Sequence, residues 1–188
     1  QGDGTLWCWG KNGGGQLGTG NSNSSLVPVK VSASRWASVT VGGLHTCGTQ
    51  SDGSLWCWGG NAHGQLGMGL VGGNSRLVPT QVPGTTWKQV FAGNTHTCAV
   101  KTGGSLWCWG EYATGQLGRS GCGTLMDSDC AQPAQVSGST WDRIDFYSNN
   151  VCGSKADGSV WCWGENNLGQ VGNGTTDVVA APFKVMAP

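Results

Sequence analysis

The chain has 188 residues, among them 35 glycines, 11 tryptophans and 9 cysteines, and its 10 Lys and Arg balance its 10 Asp and Glu. With 11% charged residues and no net charge, it lacks the basic footprint that nucleic acid or an anionic membrane surface requires. It contains no run of eighteen apolar residues, so no helical membrane insertion is expected.

The first landmark is Trp7-Cys8-Trp9-Gly10, followed by Gly15-Gln16-Leu17-Gly18. The same pair of motifs returns at 56–67, 107–118 and 161–172, the last with Val171 in place of Leu, at intervals of 49, 51 and 54 residues. Between them, Pro28, Pro79 and Pro133 stand eight residues before Trp36, Trp87 and Trp141. Each of those tryptophans stands eleven before a cysteine (Cys47, Cys98, Cys152), and each cysteine ten before the next (Cys57, Cys108, Cys162). All variation in length falls between the Gly-Gln-Leu-Gly motif and the proline, where the four copies have 9, 11, 14 and 9 residues. Four tandem units with one variable segment each describe a stacked repeat whose insertions project from a single surface.

Within a unit, Trp87-Lys88-Gln89-Val90, Thr97-Cys98-Ala99-Val100 and Ser105-Leu106-Trp107-Cys108-Trp109 are short, rich in β-formers and bounded by glycine. No helical period competes with them, so the chain is expected to be all-β. Leu-Trp-Cys-Trp is apolar on both faces, which predicts a strand covered on both sides. In a propeller each blade packs between two neighbours and meets that need.

Gly93-Asn94-Thr95-His96-Thr97-Cys98-Ala99-Val100, Gly104-Ser105-Leu106-Trp107-Cys108-Trp109-Gly110 and Gly115-Gln116-Leu117-Gly118, taken in order, resemble the RCC1 (regulator of chromosome condensation) repeat. The resemblance extends over all four units. It implies four-stranded β-propeller blades, with relatives closing about seven, so residues 1–188 are expected to form one RCC1-like segment of a larger propeller. The third His-Thr-Cys segment departs from the pattern: Tyr147 stands where Gly42 and Gly93 stand, and Asn150 replaces His45 and His96. A distorted first turn is expected in that blade.

The cysteine pairs Cys47/Cys57, Cys98/Cys108 and Cys152/Cys162 flank Ser51-Asp52-Gly53, Thr102-Gly103-Gly104 and Ala156-Asp157-Gly158. A three-residue hairpin loop with a left-handed glycine brings positions ten apart face to face, within disulfide reach. Cys122 and Cys130 share the longest variable segment and are expected to staple it. Zinc would call for Cys-x₂₋₄-Cys spacing, which is absent, and free core thiols would not recur in hairpin register. Such stapling implies an oxidising compartment, hence a secreted protein. Cys8 stands alone, because its repeat partner would fall before Gln1. That partner is expected outside the chain, in a longer polypeptide or a second molecule that completes the blade; a naturally short, open stack is the third option.

Few residues suggest chemistry. His45 and His96 share one repeat position and are read as structural, and His63 as an exposed turn residue. Asp127-Ser128-Asp129 could hint at calcium but lacks the rest of a ligand set, so it is read as a solvated turn. The paired indoles are read as core packing rather than a sugar platform. Asn23-Ser24-Ser25 and Asn173-Gly174-Thr175 are glycosylation sequons inside variable segments. No catalytic, cofactor or metal set stands out. The expected function is a non-catalytic extracellular binding or scaffold module that meets a protein partner through its variable loops. The alternative is a structural subunit of an extracellular fibre, appendage or envelope assembly.

Overall fold

A computed structural model describes residues 4–32, 35–72, 75–119, 121 and 129–186. These residues form antiparallel sheets with no helix. The strands are β1 (Leu6–Gly10), β2 (Ser25–Ser32), β3 (Trp36–Val41), β4 (His45–Gln50), β5 (Leu55–Gly59), β6 (Arg76–Gln81) and β7 (Trp87–Ala92). They continue with β8 (His96–Lys101), β9 (Leu106–Glu111), β10 (Asp129–Gln135), β11 (Trp141–Tyr147), β12 (Asn150–Lys155), β13 (Val160–Gly164) and β14 (Val179–Lys184).

Three complete four-stranded blades result, β3-β4-β5-β6, β7-β8-β9-β10 and β11-β12-β13-β14, preceded by the two-stranded sheet β1-β2. Each blade is a meander of consecutive strands. The repeat therefore straddles blades: a Trp-Cys-Trp-Gly strand and its proline strand close one blade, and the next tryptophan opens another. The first strand β7 packs on both β3 and β4 of the blade before it, which marks the inner side of the ring.

The outermost strands β2, β6, β10 and β14 hold Pro28, Pro79, Pro133 and Pro182. Every one of these prolines lies where the register slips, and the residue after it pairs with, or next to, the Cys of Trp-Cys-Trp: Val29 with Cys8, Thr80 with Cys57, Ala134 with Cys108, Phe183 with Cys162. Proline has no N–H to give a ladder, so a bulge on an outer strand is where it fits.

The hairpins form as their spacing dictates. Gly53, Gly104 and Gly158 take φ of 79°, 75° and 80°. The Gly53 N–H bonds the Gln50 carbonyl at 3.0 Å, and Cys47 faces Cys57 in the ladder. Cys47–Cys57, Cys98–Cys108 and Cys152–Cys162 are disulfides, each with Cα atoms 4.1 Å apart. Cys130 is also disulfide-bonded, while Cys122 lies outside the described residues, as do Asp127 and Ser128.

Two core clusters fill the spaces between blades. One joins Cys47, Cys57 and Leu55 of one blade to Trp87, Val90 and Trp109 of the next. The other joins Cys98, Cys108 and Leu106 to Trp141, Ile144 and Trp163. The disulfides Cys47–Cys57 and Cys98–Cys108 are thus buried under the following blade's indoles. Within a blade the opening tryptophan meets the second indole of Trp-Cys-Trp edge to face, at 5.4 Å (Trp36–Trp58), 6.0 Å (Trp87–Trp109) and 5.5 Å (Trp141–Trp163).

One expectation is corrected. The Leu-Trp-Cys-Trp strand is not covered on both sides throughout. Trp58, Trp109 and Trp163 are fully buried, but the first indoles Trp56, Trp107 and Trp161 remain partly exposed. Each first indole donates to a hydroxyl two residues earlier, Ser54, Ser105 or Ser159, at 2.9, 3.1 and 2.9 Å. The turn opening the last blade differs from the other two: pairing extends one step further, to Tyr147 with Asn150, and Ser148 takes φ 54°, a left-handed conformation that no residue of the Gly42-Gly43-Leu44 or Gly93-Asn94-Thr95 turns adopts.

Candidate functional site

The Gly-Gln-Leu-Gly motif is a latch between blades. Its Gln side chain closes its own turn, with Oε1 accepting from the Gly14, His63 and Thr114 N–H groups at 2.9 Å in the first three copies. Its main-chain carbonyl faces the next blade. Gln16 O accepts from Thr46 Oγ1 (2.8 Å) and Trp58 Nε1 (3.0 Å), and Gln65 O from Thr97 Oγ1 (2.8 Å) and Trp109 Nε1 (2.9 Å). At the next junction Trp163 Nε1 reaches Gln116 O at 3.1 Å, but Val151 replaces the threonine and gives nothing. The motif's last residue must be glycine. Gly18, Gly67 and Gly118 have φ of 73°, 75° and 64°, and a methyl group on any of them would lie within 2.8 Å of the next blade's indole nitrogen.

Each variable segment joins the third strand of a blade to its outermost strand, so all four leave the sheets from the same rim. Three of them hang from a buried asparagine that the motif search missed. Asn12, Asn61 and Asn166 use Oδ1 to accept the N–H of Leu17, Leu66 and Val171 at 2.9, 3.0 and 2.9 Å. Their amides donate forward into the loop, from Asn12 to the Asn21 and Asn23 carbonyls, from Asn61 to Leu70, and from Asn166 to Thr175 and Asp177. The available signal was an Asn two residues after Trp-Cys-Trp-Gly in three copies, with Tyr112 in the third. Both sequon asparagines sit on this rim: Asn23 is exposed, and Asn173 Oδ1 accepts from Thr175 at 3.0 Å.

The histidines divide. His45 and His96 are fully buried beside the inner strands. His45 Nε2 pairs with Thr97 Oγ1 of the next blade at 2.8 Å. Because that hydroxyl donates to Gln65 O, the imidazole donates to it. His96 would meet Val151 in the same way, and neither of its nitrogens has a partner among the described residues; its ring packs edge-on against Phe146 at 4.7 Å. Burial pushes His45 down to about 4, and burial followed by the His45 charge pushes His96 down to about 3. Both are neutral structural groups near pH 7. His63 is more than a turn residue: its Nδ1 lies 3.1 Å from Asp129 Oδ1, tying the second variable segment's base to β10. The described residues hold no group of three or more metal-ligating side chains.

Cys8 is a free, half-buried thiol on β1, and burial pushes its pKa up. Trp9, the repeat counterpart of Trp58, is 62% exposed. Both line a cavity of about 450 Å³ with Leu6, Val39 and Val41.

Comparisons with known proteins agree with this geometry. The chain is 34% identical to the Ultraviolet-B receptor UVR8 of Arabidopsis thaliana over 193 residues, which is 99% of this chain and 43% of that protein. Its fold matches human WBSCR16 with a TM-score of 0.84 at 22% identity, over 99% of this chain and 49% of the other. Yeast RCC1 (Prp20), solved bound to Kap60, matches with a TM-score of 0.85 at 19% identity, over 98% of this chain and 45% of the other. The chain thus spans less than half the length of these relatives. The model of the Regulator of chromosome condensation (RCC1) repeat matches residues 3–48, 52–100 and 157–188, and a second model of the same description matches 36–65, 87–116 and 141–170. The chain belongs to the RCC1 repeat family and is built of its β-propeller blades.

Proposed function

We propose that this chain is a non-catalytic protein-binding module that meets its partner through the variable segments of one rim and works in an extracellular, oxidising compartment. The observation that carries the reading is the contrast within each repeat. A body fixed by disulfides, carbonyl latches and buried asparagines presents segments of 9, 11, 14 and 9 residues. Recognition is commonly carried by such loops on a rigid frame. Propeller relatives support a protein as the partner, since yeast Prp20 has been solved with Kap60 and studied for binding to Gsp1p and histones. The three hairpin disulfides support the compartment. Asn23 and Asn173 would carry glycans there.

The test is photo-crosslinking in the secreted fraction of the source organism. A photoreactive residue replaces Leu70 or Asn21 in the variable segments, or Ser51 in a hairpin turn at the opposite rim. Adducts concentrated at the loop positions are expected. Adducts spread evenly over both rims would refute the assignment.

A further inference from the structure

Between the blades lie grooves that neither the latch nor the loops explain. One, of about 250 Å³, is lined by Trp87, Lys101, Trp107, Pro83, Met68 and Gln132. Met68 opens the second variable segment and Gln132 ends the third, so the groove adjoins the proposed recognition segments. Lys101 Nζ lies over both indoles, 4.7 Å from the Trp87 ring centre and 4.3 Å from that of Trp107. One blade on, Lys155 Nζ sits the same way over Trp141 and Trp161, at 4.7 and 4.1 Å. Neither lysine has an ion-pair partner among the described residues.

The first complete blade shows the same position without the charge. Gln50 stands where Lys101 and Lys155 stand, and the Trp36 indole donates to Ser32 Oγ at 2.9 Å. In the next blade Pro83 occupies the Ser32 position, and in the last Ser137 is not bonded to the indole. Trp87 Nε1 and Trp141 Nε1 are accordingly buried with no acceptor among the described residues. A methyl group built on Gly138 would lie 2.9 Å from Lys155 Nζ and 3.8 Å from Trp141 Nε1, so both donors border one small space. Among the described residues, two successive blades therefore hold an ammonium without an ion-pair partner and an indole N–H without an acceptor, where the first has a neutral Gln and a Ser-bonded indole.

We propose that these two lysine–indole sites bind carboxylate side chains of an acidic, extended segment of the protein partner. The ammonium supplies the counter-charge, and in the first site Met68 and Pro83 contact the aliphatic stem. A sugar ring would have to stack on the indole faces, and the ammonium groups already cover those. The lysine-over-indole arrangement recurs one blade apart, and packed sheets are spaced about 10 Å. Six extended residues reach roughly 20 Å, enough to span neighbouring sites.

The proposal rests on the binding-module reading but fails separately from it, because cross-linking probes the loops and the following test probes the lysines. The probe is N-acetyl-hexaglutamate amide, titrated while tryptophan fluorescence and calorimetric heat are recorded. Wild-type protein is expected to bind with a fluorescence change and an affinity that falls with added salt. K101Q/K155Q, which copies the natural Gln50, should weaken binding by at least about tenfold. K101R/K155R should retain it. Loss of binding in both double variants, equal binding by K101Q/K155Q, no binding by wild type, or binding of trigalacturonate in place of the peptide would each overturn the proposal. Thermal unfolding of both variants within a few degrees of wild type shows that the fold is intact.

Discussion

The two buried histidines should make the propeller acid-labile well above the range where carboxylates titrate. In the unfolded chain a histidine takes up its proton near pH 6.5. Folded, His45 does so only near 4 and His96 near 3. A depressed folded pKa means the unfolded state binds protons first as pH falls. The stability is therefore intact above about pH 7 and is lost progressively below pH 6.5. At pH 5 the loss amounts to about 2 kcal/mol per histidine, or about 4 kcal/mol for the pair. The slope between pH 6 and 4.5 should approach roughly 2.7 kcal/mol per pH unit, two protons taken up on unfolding. Asp52 and Asp157, whose carboxyls are held down by hydrogen bonds from Ser54 and Ser159, add a loss of the same sign, but only as pH falls toward and below the ordinary carboxylate value near 4, beneath this window. The assay is guanidinium unfolding at pH 8, 6 and 5, at constant ionic strength with disulfides oxidised, followed by tryptophan fluorescence. His45→Gln with His96→Gln should unfold more easily at pH 8 but show a much flatter pH dependence. Equal wild-type stability at pH 8 and pH 5 would refute the reasoning, as would an unchanged slope in the double variant.

Three further outcomes are expected. Replacing both Cys98 and Cys108 by Ser should cost about 3 kcal/mol from the lost ten-residue loop closure, measured by urea unfolding, with the other hairpins unaffected. Trp163→Phe should destabilise more than Trp109→Phe. It strips the buried Gln116 carbonyl of its donor, for about 2–3 kcal/mol, whereas Gln65 O keeps Thr97 and loses about 1 kcal/mol; calorimetric melting separates them. Val151→Thr restores the missing hydroxyl opposite Gln116 O and His96, and should raise stability by about 1 kcal/mol; a lower melting temperature would contradict the latch description.

The hairpin disulfides were legible because they depend on local geometry alone: ten residues, one left-handed glycine and a two-residue side-chain period place the sulfurs. Four-fold repetition likewise exposed the Gly-Gln-Leu-Gly motif. What hid its role is that its partner lies about forty residues on, and no local pattern says that a main-chain carbonyl at Gln65 will accept from Trp109. The outermost strands were hidden for another reason. Pro79 and its counterparts look like loop residues until a bulge on an unpaired edge is available to take them. The His63–Asp129 pair spans 66 residues and occurs at a single junction between blades, so repetition could not reveal it. The two-sided apolar strand was half right: Trp107 and Trp109 share one face of β9, but Trp109 lies deep between blades while Trp107, nearer the strand's start, borders a groove.

The prolines of the outer strands set how such molecules can grow. At Pro28, Pro79, Pro133 and Pro182 the outer edge of each described sheet lacks a donor and bends away from a straight ladder, so edge-to-edge pairing with a foreign strand is disfavoured there. Growth around the ring or contact across its rims meets no such obstacle, which leaves the number of blades and the lengths of the rim segments as the quantities freest to vary.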